Sequence, residues 1–535
     1  MRDEQVAEDF LSTFLANRPV HATFMGLERG DGDLPRADAA AMREERRALA
    51  ALAAELASRA EPEDAGERID LRIARAETAI ALAEAEHRPR QRNPAWYTGE
   101  AMFGVISLLL PQSAPAPVRA VRSRLEAIPD FLAEGLAHLT GPTPRPWVER
   151  ACREANAFAR FLTGGTRQHP EYAAEWDDAA RQAAQALDRF AEAIGGSEDA
   201  DAACGEAHLA FLMRTAHGID LSPAQALARA EAAFASLSDE LVDMAARVDP
   251  RISWRDQLAA LAEIQPPRAQ LIDTYRALNA RALTLGAQWL SPATEYGLAF
   301  RPMGPAFAEI ARASYFLSYR SPPAHRAGEG SVYWINEPPA SDPAALRAHT
   351  LAAIKTTHVA HHGSIGHHTQ NARARAAPSR LARLGGTDCA SAIAFLSSGT
   401  MVEGWACYAT DLLLEAQDYY TPAEALLLKH GERRNAASVI ADIKLHSGAW
   451  GLGETMRFYR DEAGFAPARV EAEVVRNSMF PASRLMYRHG VEAIKGLRRR
   501  WLSTERSFHD TLLSFGHVPV AWAAEEMARG GLLRP

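Results

Sequence analysis

Apolar residues recur three and four apart through long stretches of this chain, set among alanine, leucine, arginine and glutamate. That spacing lines one face of an α-helix and leaves little room for any other regular structure. Met42 to Ala60, Ile69 to Ala85 and Pro223 to Ala246 are the clearest runs. Helix starts carry their usual marks. Ser222, Pro223 and Gln225 supply an N-cap, a first-turn proline and a capping-box glutamine, and Ser341-Asp342-Pro343 and Thr421-Pro422 repeat the device. The pattern predicts a mainly α protein. One stretch, Leu298 to Asn336, departs from it. It holds several prolines, the segment Tyr315-Phe-Leu-Ser-Tyr, and the β-branched and aromatic run Gly330-Ser-Val-Tyr-Trp-Ile-Asn336, which predicts a small β element. No repeat of 20 to 50 residues is visible.

A chain of 535 residues is too long for a single core. The break is expected after Gly195-Gly-Ser-Glu-Asp-Ala-Asp201, giving an N-terminal helical lobe over 1–200 and a second helical lobe over 201–535 that carries the chemistry. A net charge of −8 with no concentrated basic stripe argues against a nucleic-acid surface. The basic runs Arg373 to Arg383 and Arg498 to Arg500 read as solvated helix faces or loop charges. Cys152, Cys204, Cys389 and Cys407 have neither metal-ligand nor disulfide spacing and read as reduced thiols. The N-terminus is acidic and enters an amphipathic pattern directly, and nowhere do about 18 apolar residues run together. These features predict a cytoplasmic protein with no membrane partner.

Chemistry concentrates in His358-Val-Ala-His361-His362-Gly363-Ser-Ile-Gly366-His367-His368-Thr-Gln370. Five of the 18 histidines fall within these first 11 residues. Packing imidazoles side by side costs energy unless something binds them, so the cluster predicts a metal. A helix opened at Pro343 is expected to run through His362, placing His358 and His362 on one face a turn apart. His361 and His367 are six apart, about 120° around an unbroken helix. Gly363 and Gly366 offer a break that would bring them together. Spacing leaves both arrangements open, with His358, His362 and His368 as further donors.

The segment resembles the signature of the bacterial domain-of-unknown-function family 885, zinc-peptidase-like proteins with the pattern His-Glu-x-x-Pro-Gly-His-His-x-Gln. His361, Gly366, His367, His368 and Gln370 match it in place. Glu403-Gly-Trp-Ala-Cys-Tyr408, Asp442-Ile-Lys-Leu-His446 and Pro481 through Tyr487 to Gly490 match three later motifs in order, and Pro94-Ala-Trp-Tyr and Ile128-Pro-Asp-Phe-Leu fit more loosely. The resemblance implies an elongated multi-helix fold of the zincin or neurolysin type, with two lobes around a cleft. It further implies one transition metal held by His361, His367 and Glu403, with Tyr487 and His446 opposite it as hydrogen-bond donors. Tyr487 and His446 also have plainer readings, as a core phenol and as an imidazole behind the ligands.

The family pattern fails at its centre. The glutamate that serves zinc hydrolases as base is His362 here, and the proline is Ile365. Family arginines ahead of Asp442 appear as Asn435 and Ser438, and His358 is an addition. Changes confined to the motif core predict an altered site on a retained scaffold. The leading expectation is a metal-dependent enzyme acting on a small-molecule substrate, with His362, Tyr487 and His446 as catalytic groups and chemistry removed from peptide hydrolysis. Zinc heads the list of metals, with iron, manganese or copper equally suited to imidazole and carboxylate donors. A conventional zinc hydrolase is the second reading, and a non-catalytic metal- or ligand-binding protein the third.

Overall fold

The computed structural model describes residues 4–27, 29–110, 118–293, 296–313, 318–325, 330–338, 343–390, 392–416 and 418–534. Helix dominates, as the apolar spacing predicts. Strand is confined to β1 (Leu298–Pro302), β2 (Tyr319–Arg320) and β3 (Ser331–Ile335) among the described residues. β1 and β3 pair in parallel with Phe300 opposite Tyr333, inside the stretch read as β from its aromatic and branched residues. Residues 315–317 and the N-cap expected at Ser341 and Asp342 lie outside the described residues.

The chain forms two compact units. The first comprises Met1–Cys204, Met303–Glu329 and Ser379–Leu396, and the second Gly205–Pro302, Gly330–Pro378 and Ser397–Pro535. The break near residue 200 is therefore present, but two later segments return to the first unit. One of them is pinned by Asp70, in α1 (Ala65–His87), whose carboxylate accepts from Ser379 Oγ at 2.6 Å and from the backbone N–H of Leu381 at 2.8 Å. The ring of Phe395 also packs edge-on against Phe10 and Phe14.

In the first unit α2 (Pro94–Leu109) is the central helix. Asn93 caps it, Pro94 opens it, and every one of its residues is buried, as expected of a helix apolar all round. Glu100, at its middle, is an exception in chemistry but not in burial. Burial pushes its carboxyl up to about 7 against the pull of Arg90, Arg124 and Arg18. Arg124 of α3 (Val118–His138) is fully buried and donates to the carbonyls of Gly104 and Asp33 and to Thr23 Oγ1. Against this centre pack α4 (Arg145–Arg160) and α5 (Asp177–Gly195), apolar inward and charged outward.

In the second unit α6 (Pro223–Val248) starts with the expected capping box. Ser222 Oγ accepts from the N–H of Gln225, and the Gln225 side chain accepts from the N–H of Ser222. Behind it come α7 (Leu271–Gly286), α8 (Gly399–Glu415), α9 (Pro422–His446), α10 (Pro467–Met479) and α11 (Leu485–Arg500). Thr421 and Glu424 form the same capping box on α9. α6 and α9 pack along each other around Leu241, Ala245 and Leu426. α8 and α11 cross where Gly404 faces Gly490. A Cβ on Gly404 would stand 2.6 Å from the Gly490 Cα, so the two backbones touch because neither residue has a side chain. Both glycines belong to motifs, and the crossing brings Glu403 and Tyr487, one and three residues before them, to the same region. Among the described residues no helix is long and apolar enough to cross a membrane.

Candidate metal centre

The segment carrying the histidines is not the single helix that its spacing suggests. Pro343–His349 is a 3-10 turn, Leu351–Ala353 a short α-helical turn capped by Thr350, and Ile354–His361 a π-helical stretch. The backbone then leaves helical geometry at Gly363 (φ −94°, ψ −150°) and again at Gly366 (φ −79°, ψ −127°) before Thr369–Ala374 resumes an α-helix. The widened turn is held by hydrogen bonds five residues apart, from His362 N–H to the Thr357 carbonyl and from the Ser364 hydroxyl to the Val359 carbonyl. Asn279 of α7 accepts from the Ser364 N–H, and Trp405 of α8 donates its indole N–H to the Ile365 carbonyl. A Cβ at Gly366 would overlap the carbonyl oxygens of His361 and Ala360, so the second break requires glycine.

These breaks resolve the arrangement that spacing left open. His361 and His367 come together, with ring centroids 4.9 Å apart and planes at 85°. Glu403 Oε2 from α8 lies 3.3 Å from His361 Nε2 and 3.9 Å from His367 Nε2. Ligands on a tetrahedral zinc, each roughly 2.0–2.1 Å from it, stand about 3.3 Å from one another. His362 joins the group: its ring stacks on His367 at 5.8 Å and stands edge-on to His361 at 4.9 Å. One ring nitrogen from each of the three histidines lies within 4.8 Å of the others.

The donors fit a metal chemically as well as by distance. Glu403 Oε2 is buried, and no hydrogen bond satisfies it among the described residues. Burial pushes that carboxyl up, but His361, His367 and Arg476 outweigh it and hold the group at about 2, so it is a carboxylate at neutral pH. Burial, then His361, lowers His367 to about 4, and burial with three neighbouring histidines drives His362 well below its ordinary value. Both rings are neutral and offer a lone pair. Gln370 decides which nitrogen His367 offers. Its amide donates to the Met401 carbonyl at 2.7 Å, which leaves Oε1 to accept from His367 Nδ1 at 3.1 Å and turns the lone pair of Nε2 toward Glu403.

The remaining sequence candidates are placed differently. His358, the expected chelating partner of His362, gives its Nδ1 to the Tyr333 hydroxyl at 2.5 Å. The same hydroxyl stands 3.5 Å from His362 Nδ1. His368 is buried, with Nδ1 3.2 Å from Ser331 Oγ and its ring stacked on Tyr296. His446 is fully buried, bonded through Nε2 to the Asn477 carbonyl at 2.7 Å and 3.6 Å from Asp442, so it braces the turn into α11. Tyr487 lies with its hydroxyl 3.5 Å from Arg476 Nη2. Spacing gave no notice of Tyr333 or Asn279, because each arrives from an element remote in sequence.

A family described as bacterial protein of unknown function (DUF885) matches residues 19–527. No protein of curated function matches the sequence. Among solved structures, one described as a candidate lipoprotein of unknown function from Shewanella oneidensis superposes with a TM-score of 0.78 at 17% identity, covering 98% of this chain and 99% of that one. Another, a candidate lipoprotein from Colwellia psychrerythraea, gives 0.76 at 16% identity over 99% of each chain. The likeness is one of fold. It corrects the cytoplasmic expectation: proteins of this fold are described as lipoproteins, a class held at membranes outside the cytoplasm, so an acidic amphipathic start is no ground for a cytoplasmic placement.

Proposed function

The chain belongs to this bacterial family of unknown function, and from that premise we propose that it is a metal-dependent enzyme on a zincin-like helical scaffold, acting on a small molecule by chemistry other than peptide hydrolysis. His361, His367 and Glu403 would hold one transition metal, zinc first. Such an ion, when bound, supplies Lewis acidity toward a substrate oxygen. The single observation carrying the reading is the buried Glu403 oxygen that faces two imidazole nitrogens at tetrahedral ligand spacing and has no hydrogen bond of its own among the described residues.

His362 sets the kind of chemistry. A glutamate at its position would present an oxygen on a flexible stem to a water beside the metal. The imidazole is instead wedged between His361, His367 and the Tyr333 hydroxyl. Held there and neutral, it offers either a third nitrogen donor or a short-range proton acceptor, and neither reproduces the reach of a carboxylate. A nitrogen-rich set with one carboxylate suits iron, manganese or copper as well as zinc.

Metal analysis of the purified full chain tests the reading. We expect close to one transition metal per chain, lost in His361→Ala and in Glu403→Ala. Full occupancy in both variants sinks the ligand assignment. Brisk cleavage of generic peptides by the unaltered protein, abolished by His361→Ala, would sink the non-hydrolytic reading in favour of a conventional zinc hydrolase.

A further inference from the structure

Beside the metal centre the second unit gathers an excess of guanidinium groups. α9 contributes Arg434, α10 contributes Arg469 and Arg476, and the turn before α11 contributes Arg484. All four act on one carboxylate, Glu473, which is 2% exposed. Burial pushes it up, but Arg484, Arg469, Arg476 and Arg434 together hold it below its ordinary range. Glu473 accepts from Arg469 at 2.5 Å and lies 3.4 Å from Arg484. The other buried carboxylate nearby, Asp442, receives the backbone N–H groups of Ala482 and Arg484. Four cations thus face two anions, and Glu403 is committed to the histidines.

Two of the four arginines are placed as surface arginines are not. Arg484 is 4% exposed, its Nε has no hydrogen-bond partner among the described residues, and its guanidinium lies 5.9 Å from the Tyr487 ring centre. Among the described residues no hydrogen bond or ion pair reaches the side chain of Arg434, which rests 5.8 Å from the Phe465 ring. Arg476 bridges from this group to the metal centre, since it contacts the Tyr487 hydroxyl and helps to hold down the Glu403 carboxyl. Burying so much positive charge without a matching anion is costly unless a ligand brings one.

We propose that Arg434, Arg476 and Arg484, with the Tyr487 hydroxyl, form the subsite for an anionic group of the substrate, a carboxylate or a phosphate. This names the substrate class of the site proposed above and rests on that reading. A guanidinium presents a planar fork of donors that matches either oxyanion, and a low-dielectric wall strengthens the match. The substrate is then a small anionic molecule, held at one end by the arginines while its reacting group faces His361, His367 and Glu403.

Calorimetric titration of inorganic phosphate and of succinate into the full chain tests the proposal, using wild-type protein and the His361→Ala variant stripped of metal. One anion is expected to bind per chain in both, more weakly as salt rises. Arg434→Gln and Arg476→Gln should each weaken it roughly tenfold or more while retaining wild-type metal content. Arg476→Lys, which keeps the charge, should fall between and guards against a folding defect in the glutamine variants. Tighter binding of phosphate identifies a phosphorylated substrate and tighter binding of succinate a carboxylic one. Absence of saturable binding by both anions overturns the proposal. So does binding that disappears with His361→Ala yet is untouched by Arg434→Gln, because the anion would then sit on the metal. A failure of the metal reading shows separately, as wild-type protein that carries no metal but still binds the anion.

Discussion

Gln370 touches no candidate ligand atom directed at the centre, yet it settles what His367 can do. With its amide tied to the Met401 carbonyl, only its oxygen is left for His367 Nδ1, and the ring cannot turn over without losing that bond. Groups standing behind metal ligands in this way typically contribute about 10–100-fold in metal affinity. Gln370→Ala is therefore expected to bind metal within that range more weakly, with His361, His367 and Glu403 all intact, as read by competition with a chelating dye. Unchanged affinity would mean that His367 is not a ligand or that its orientation is set elsewhere. Gly366 acts on the same turn through its backbone. Gly366→Ala forces a Cβ into the His361 and Ala360 carbonyls, so it should separate His361 from His367 and abolish metal binding while the helical circular dichroism of the chain persists. A variant that still carries one metal per chain would show that the break at Gly366 is not what assembles the site.

At the scale of elements, the crossing of α8 and α11 places one ligand and one candidate substrate group at once. A methyl on Gly490 would overlap the Thr400 carbonyl, and one on Gly404 would press on the Gly490 Cα. Gly404→Ala and Gly490→Ala must therefore push the helices apart, at a cost of about 1–3 kcal/mol for overpacking. Both are expected to lower the thermal midpoint and to reduce metal content by displacing Glu403. Gly496→Ala, on the same helix, would meet nothing nearer than the end of Arg499 at 3.9 Å. It should leave the midpoint unchanged or raise it, since alanine favours helix by up to about 1 kcal/mol. Equal midpoints for all three variants would remove the crossing from this account. What the sequence reveals of these elements follows the range of the forces involved. The capping boxes at Ser222 and Thr421 were legible because each is closed within four residues, and the β3 run because branched and aromatic residues announce it. The break at Gly363 and Gly366 was legible as an opportunity only. Whether a helix opens into π geometry there depends on Asn279 and Trp405, which come from α7 and α8. The return of residues 379–396 to the first unit hangs on Asp70, more than 300 positions away, and no local pattern carries that information.

Across the whole molecule, histidines outside the metal centre are kept neutral. Burial is the first cause in each case, and it lowers His21, His217, His430 and His517 to about 3. Both ring nitrogens of His217 lack a hydrogen-bond partner among the described residues, so protonation would find nothing to receive it. In the unfolded chain the same groups titrate near 6.5. Below that pH the unfolded state takes up protons that the folded state refuses, and stability falls as the pH drops from about 6.5 toward 3. Two carboxyls work against this trend. Burial raises Glu100 to about 7 and Asp411 to about 6, so between there and their unfolded value near 4.5 the folded state holds protons the unfolded state has lost, which favours folding as the pH falls. Four imidazoles against two carboxyls leave a difference of about two protons through the window from 6 to 5. At roughly 1.4 kcal/mol per proton and pH unit, the slope is at most about 3 kcal/mol per pH unit toward unfolding on acidification. Thermal unfolding of chelator-treated protein, followed from pH 7.5 to 4.5, should show the midpoint falling steadily through this window. His217→Asn should flatten the curve, because it removes one of the four groups whose neutral burial sets the slope. A midpoint that holds level or rises on acidification would mean that the fold accommodates these imidazoles as cations.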